Sequence, residues 1–399
     1  MKKTLSLILV IAMAVMAFAG CGCQKSNTFK IGGIGPTTGG AAIYGLAVQR
    51  GAEIAVEEIN AAGGVNGVML EFSMADDEHD PAKSVNAYNS LKDWGMQILM
   101  GTVTSGPCVA VAAETEIDNM FLLTPSGSAV DCVAGKANAF RLCFSDPAQG
   151  AKSAEYIAEN GIAKKIAVIY DDSDVYSTGI YSTFKSEAAE RGLEIVSETS
   201  FNANNKTDLS GQVKDAKSSG AELVFLPIYY SEAALILDAA KKENYAPLFF
   251  GCDGLDGLLT IEGFDTSLAE GVMLLTPFAA DATDEQTVNF VTKYKEKYKE
   301  TPNQFAADAY DCIYAIKAAL EKSGATQDMS ASELCELLKK AMTEITVDGL
   351  TGDAITWSAD GEPDKAPKAV KIENGVYVSM DVDAGVEASD EVPSEAVTE

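Results

Sequence analysis

The chain has 399 residues, enough for roughly two domains at about 150 residues each. Its composition, 47% hydrophobic and 22% charged, is that of a globular protein and points away from both a disordered chain and a many-span membrane protein. A formal net charge of −29 leaves little basic surface to neutralise phosphates, which excludes nucleic-acid binding and disfavours docking on anionic lipid through the protein surface.

At the N-terminus Lys2 and Lys3 precede an uncharged apolar run from Leu5 to Phe18 and then Ala19-Gly20-Cys21, the three parts of a secretory signal. The run is too short for a comfortable membrane span. The sequence FAGC resembles a bacterial lipobox, with Phe18 where leucine is more usual. The expectation is a signal peptide over residues 1–20, acylation of Cys21, and a lipidated polar tether over 21–28 that holds the protein to the outer face of the membrane. An ordinary signal peptide cut nearby is the alternative.

Strand-like runs then alternate with segments of helical period. FKIGGIG leads to a helix from about Tyr44 to Ala62, VMLEFSM to one over Pro81–Trp94, and QILMG to one over Gly106–Asp118. After NMFLLTP and AFRLCF the rhythm resumes with helices near Ala148–Asn160, through Lys185, from Asp208 and from Ser231. Between these lie KIAVIYD, GLEIVSE, ELVFLPI and PLFFG. Such alternation predicts parallel sheets with crossover helices, here two doubly wound α/β lobes of similar plan. GVMLLTPF, helices within Asp284–Lys322 and Ser332–Met342, and short strands around TGDAITW and AVKIENGVYV read as pieces returned to those lobes. The predicted crossings are Arg141–Asp146, Leu275–Phe278 and Leu350–Asp353. The expected lobes are 29–143 plus 277–349 and 144–276 plus 350–380, followed by an acidic, disordered tail over 381–399.

Enzyme chemistry finds little support. The first loop, IGGIGPTTGGAAIYG, is one residue too long between glycines for a dinucleotide fingerprint, and no lysine follows Gly40 as a P-loop needs. It reads instead as a glycine-permissive turn that brings Tyr44 and Gly45 to a cleft. The chain has one histidine, His79 in DDEHDP, and it reads as a turn residue ahead of an N-cap Asp80 and Pro81. No cysteine or histidine cluster has metal spacing, so neither metal nor cofactor is expected. The pairing of Cys108, Cys132, Cys143, Cys252, Cys312 and Cys335 is left open.

Ligands of doubly wound sheets bind beyond the carboxyl ends of the strands. Four segments placed there are rich in small hydroxyls, aromatics and one acid: GTVTSGP, TPSGS, PIYYSE and GCDG. Serines at helix N-termini suit a carboxylate, and Asp253 suits an ammonium. Each serine alone, and Asp253 alone, could equally be a helix cap.

With RGAEIAVEEINAAGGVNG, FRLCFSDPAQG and IYYSEAALIL in the same order, the sequence resembles the leucine/isoleucine/valine-binding family of type I extracellular solute-binding proteins, over nearly all of residues 28–380. The resemblance implies two Rossmann-like lobes joined by a three-strand hinge, a monomer, and delivery of an amino acid to ABC permease subunits. It implies that Ser105 and Ser128 bind the ligand α-carboxylate, that Ser126 and Gly127 add backbone groups, and that Asp253 takes the α-ammonium with Tyr229 as its hydroxyl neighbour. It implies further that Tyr44, Val103, Thr104, Tyr176 and Phe305 form the side-chain pocket. The family's better-known members carry Glu where Asp253 stands, and a cysteine pair where His79 and Thr104 stand, so strict branched-chain selectivity is left open. Amides, urea or another small molecule on the same fold, or a sensor module for a membrane receptor, are the alternatives.

Overall fold

The computed structural model describes residues 28–365 and 367–380. The expected signal peptide, the lipid-bearing Cys21 with its tether to residue 27, and the acidic tail lie outside the described residues. Among the described residues no helix is long and apolar enough to cross a membrane.

Strands β1 (Thr28–Gly35), β2 (Met69–Asp76), β3 (Ile98–Gly101), β4 (Leu122–Thr124) and β5 (Ala139–Arg141) form a parallel sheet in the order β2-β1-β3-β4-β5. The connections carry α1 (Ala42–Ala61), α2 (Pro81–Trp94) and α3 (Ser105–Asp118). Strand β3, ILMG, is buried throughout, as a central parallel strand covered on both faces must be. Asp80 caps α2 by accepting from the Lys83 amide, Pro81 fills its first turn, and Gly95 ends it with φ 93°, so the capping read from DDEHDP is what the chain adopts.

The second sheet repeats the plan. Strands β6 (Lys165–Asp171), β7 (Glu194–Phe201), β8 (Leu223–Leu226), β9 (Leu248–Gly251) and β10 (Met273–Thr276) alternate with α4 (Asp146–Glu159), α5 (Val175–Glu190), α6 (Ser210–Ser219) and α7 (Tyr230–Lys242). An antiparallel hairpin, β14 (Lys368–Glu373) and β15 (Val376–Ser379), extends the sheet to the order β15-β14-β10-β9-β8-β6-β7. Both sheets reverse strand order beside their first strand, the switch point where doubly wound folds bind ligands.

The segment after β10 forms α8 (Glu285–Tyr298), α9 (Gln304–Ser323) and α10 (Ala331–Met342). Pro302 and the N-cap Asn303 separate the first two of these. Helix α9 packs along α1 and is buried over most of its length, so this segment completes the lobe of the first sheet.

Two connections join the lobes simply, at 141–146 and after Thr276. The third differs from the expectation at Leu350–Asp353. There the chain first makes a small sheet of β11 (Val347–Gly349), β12 (Gly352–Trp357) and β13 (Pro363–Asp364), and joins the second sheet only at Lys368. The reason is polar anchoring to α9. Asp311 accepts from the Leu350 and Thr351 amides and the Thr351 hydroxyl, and the buried Lys365 ammonium pairs with Asp308 at 3.3 Å. The same segment grips the first connection: the Trp357 indole N–H donates to the Arg141 carbonyl at 2.8 Å, and the Arg141 amide donates to Gly361.

Candidate functional site

Loops leaving the carboxyl ends of both sheets face one another, and a small cavity lies between them. It is lined by Tyr44, Val103, Thr104, Ser105 and Ser126 from the first lobe, Tyr176, Tyr229, Asp253 and Gly254 from the second, and Phe305 at the start of α9. Nine of the eleven residues expected to bind ligand are in that wall. The cavity measures about 10 Å³, the room one water needs. Anything larger than a water fits there only when the walls part.

On the first lobe the architecture is set by Ser105 and Arg141. The Ser105 hydroxyl oxygen accepts from the amides of Ser128, at 3.2 Å, and Ala129, at 3.1 Å. Its hydrogen remains to be donated, to Ser128 Oγ 3.3 Å away or to a ligand. Thr104, the N-cap of α3, provides no side-chain cap, so the first-turn N–H groups of that helix are left for an anion. Arg141, wholly buried, donates to the carbonyls of Gly127, Ser128, Ala129 and Val130 and thereby shapes the 126–130 loop.

Two expected residues are placed differently. Gly127 spends its amide on Thr124 Oγ1 and its carbonyl on Arg141. Neither Gly127 nor Ser128 reaches the cavity wall; Ser128 sits behind Ser105. Ser126 lines the cavity, but its hydroxyl donates to the Val103 carbonyl at 2.6 Å.

On the second lobe Asp253 is buried and accepts from the Tyr176 hydroxyl at 2.7 Å, so Tyr176 rather than Tyr229 is its hydroxyl neighbour. Burial raises the Asp253 carboxyl to about 6, and the Tyr176 hydrogen bond only partly opposes this. The Tyr229 hydroxyl, on the cavity wall, is buried and has no hydrogen-bond partner among the described residues, so it is available to a ligand. Gln149 and Gln304 hold the Asp253 backbone: Gln149 Oε1 accepts its N–H, and Gln304 Nε2 donates to its carbonyl. Gln149 and Gln304 were not singled out in the sequence, nor was Gly254 within GCDG. Only glycine fits there, because a Cβ would meet the Tyr176 hydroxyl at 2.6 Å and the Ile228 carbonyl at 2.7 Å.

Aromatic rings make the remaining walls. Tyr44 packs on Phe305, with centroids 4.3 Å apart, and Tyr176 stacks on Tyr229 at 4.8 Å. The Tyr44 hydroxyl also joins the lobes, donating to the Gly254 carbonyl at 2.5 Å and accepting from the Tyr230 amide at 3.2 Å. Gly45 does not reach the cleft. It lies where a Cβ would strike the Pro36 carbonyl at 1.9 Å, so the glycine lets α1 approach its own leading turn. Burial raises the Tyr44, Tyr176 and Tyr229 phenols well above their ordinary range, which keeps them neutral donors. Asp146, at the start of α4, is likewise raised by burial, with Ser128 opposing and Asp253 adding to the shift. The six cysteines among the described residues are free and buried.

The arrangement offers a helix N-terminus and hydroxyl on one side, a carboxylate on the other and aromatic faces between. The model of the periplasmic binding protein family matches residues 28–376. A Leu/Ile/Val-binding protein homolog of Brucella melitensis is 31% identical over 82% of this chain and 88% of its own. A leucine-, isoleucine-, valine-, threonine- and alanine-binding protein of Pseudomonas aeruginosa is 30% identical over 81% and 85%. Among solved structures, the branched-chain amino acid transporter substrate-binding protein LivJ of Streptococcus pneumoniae, in complex with isoleucine, superposes with a TM-score of 0.79 at 27% identity, over 88% of this chain and 99% of that one. By these matches, and by its two doubly wound lobes, the chain belongs to the periplasmic binding protein family, a family of solute-binding proteins and not of enzymes.

Proposed function

We propose that this protein binds an amino acid, neutral and branched-chain-like, in the interlobe cleft and delivers it to the permease subunits of an ABC importer. Family membership implies an extracytoplasmic location; within that location, acylated Cys21 holds the chain to the membrane.

The observation that carries the reading is the opposition of Ser105, at the uncapped N-terminus of α3, and Asp253 across one cavity with aromatic walls. A zwitterion leaving water needs both of its charges paired, because an unpaired buried charge costs several kcal/mol. Ser105 with the α3 amides takes the carboxylate; Asp253 and the free Tyr229 hydroxyl take the ammonium; Tyr44, Val103 and Phe305 contact the side chain. Thr104 lines the same wall, and its hydroxyl, 2.8 Å from His79 Nδ1, brings a polar group that widens the range beyond purely aliphatic side chains. Relatives named for leucine, isoleucine and valine, and in one case also threonine and alanine, support the ligand class.

Calorimetric titration with each of the twenty amino acids tests the proposal. Binding confined to small neutral side chains is expected. Binding of amides, urea or aromatic acids, with none of any amino acid, would replace it.

A further inference from the structure

At the mouth of the cleft, outside the cavity wall, the chain's only histidine meets the opposite lobe. His79 precedes α2 in the first lobe, held in a left-handed conformation, φ 60°, by a turn in which its amide donates to Asp77 Oδ1 at 2.9 Å. Its Nδ1 is 2.8 Å from Thr104 Oγ1, and its Nε2 is 3.6 Å from Asp174 Oδ2 in the second lobe. The ring also stands edge-on to Tyr229, with centroids 5.4 Å apart.

The geometry points to a proton-dependent latch: His79 and Asp174 form an ion pair between the lobes that holds the cleft closed and slows ligand exit when the imidazole is protonated. With both ring nitrogens protonated, Nδ1–H donates to Thr104 and Nε2–H faces the carboxylate; the threonine hydroxyl, able to accept or donate, accommodates either form of Nδ1.

The charges around the pair leave it to act. Glu78 is engaged by Lys83 at 2.6 Å, and Glu232 by Lys206 at 2.9 Å. Asp171 accepts from Ser173. Asp174 uses Oδ1 to cap α5 through the Tyr176 amide, so Oδ2 is the oxygen turned to His79. Asp77, on His79's own turn, is a further acid whose bond to the His79 amide persists whether the lobes are open or closed, since both groups belong to the first lobe.

The sign follows from the gain of a partner on closure. Protonated His79 has Asp174 only in the closed form, so closing favours proton uptake, and lowering the pH favours closing. Imidazole changes charge within the range pH 5–8. An ion pair at this partly exposed site changes the opening equilibrium by about twofold to fivefold.

Two measurements test the latch, one independent of the proposed ligand. Small-angle X-ray scattering of the ligand-free full chain follows lobe opening between pH 6.5 and 8.5. The open fraction is expected to rise with pH in the wild type and to be insensitive to pH in His79→Gln and in Asp174→Asn, whose asparagine still caps α5. Stopped-flow dissociation of L-leucine, which rests on the proposed amino-acid reading, should quicken twofold to fivefold across the same range in the wild type only. Failure of leucine to bind would refute that reading while the scattering result still judged the latch. The same pH dependence of opening in the wild type and both variants would overturn the latch, because the neighbouring acids Asp253 and Asp77 are unchanged in these variants.

Discussion

Asp253→Asn keeps the shape of the side chain and an acceptor for the Tyr176 hydroxyl, and removes only the charge. If Asp253 is the counter-charge of a ligand ammonium, the variant leaves that ammonium buried against a neutral amide. The loss of such a partner costs about 3–5 kcal/mol, which raises Kd by a factor of about 150 to 5,000. The unliganded protein moves the other way. Burial lifts the Asp253 carboxyl from 3.8 to about 6, so between about pH 4 and 6 the folded state binds more protons than the unfolded one. Stability therefore falls as pH rises through that window, by about 3 kcal/mol at 1.36 kcal/mol per unit, and does not recover above it. Asparagine carries no such penalty, so Asp253→Asn should be more stable than the wild type at pH 7.5 by about 1–3 kcal/mol and show a flatter profile from pH 4 to 6. Calorimetry with L-leucine at pH 7.5 and urea unfolding from pH 4 to 8 measure the two effects. Wild-type affinity should itself fall about tenfold per pH unit below 6, because the carboxyl must ionise to pair. Leucine binding of wild-type strength in Asp253→Asn would refute the assignment.

Other variants probe the frame around the site. Tyr44→Phe leaves the Gly254 carbonyl and the Tyr230 amide unsatisfied in the closed form; at about 1–3 kcal/mol, leucine affinity should drop roughly 5- to 150-fold with little change in unfolding free energy. Arg141→Met removes the donor to four carbonyls of the 126–130 loop and should destabilise the protein by about 3 kcal/mol or more in urea. Burial already lifts Asp308 to about 7, with Lys365 opposing that rise. Without the lysine, in Lys365→Met, the carboxyl rises further, and the loss of stability should grow with pH by about 1.4 kcal/mol per unit above neutrality.

Much of this site could be read from residue types because strand ends advertise themselves. The runs QILMG and ELVFLPI are too apolar to be anything but central strands, and whatever follows them, VTS and YY, must emerge at the switch points of the two sheets. Asp253 was legible for the same reason, as an acid just beyond PLFFG. What the pattern could not supply was direction. Ser126, Gly127 and Ser128 lie within three consecutive positions, yet only Ser126 lines the cavity, because Arg141, a residue of the first connection, turns the loop by gripping its carbonyls. The exchange of Tyr229 for Tyr176 beside Asp253 has a similar origin: the two rings stack, and no period in the sequence says which hydroxyl ends nearer the acid. The third connection was misplaced because its position depends on Asp311 and Lys365, long-range polar contacts between α9 and a segment some forty to fifty-seven residues later.

On the proposed reading one cleft pairs both charges of an amino acid, with Ser105 and the N-terminus of α3 on one side and Asp253 on the other. Calorimetry comparing L-leucine with its two half-ligands, isoamylamine and 4-methylpentanoate, tests it directly. Leucine should bind, and each half-ligand, having left one buried site charge or dipole without its partner, should bind at least a hundredfold more weakly, in line with about 3 kcal/mol or more per lost pairing. Binding of either half-ligand as tight as that of leucine would contradict the assignment of the corresponding side of the cleft.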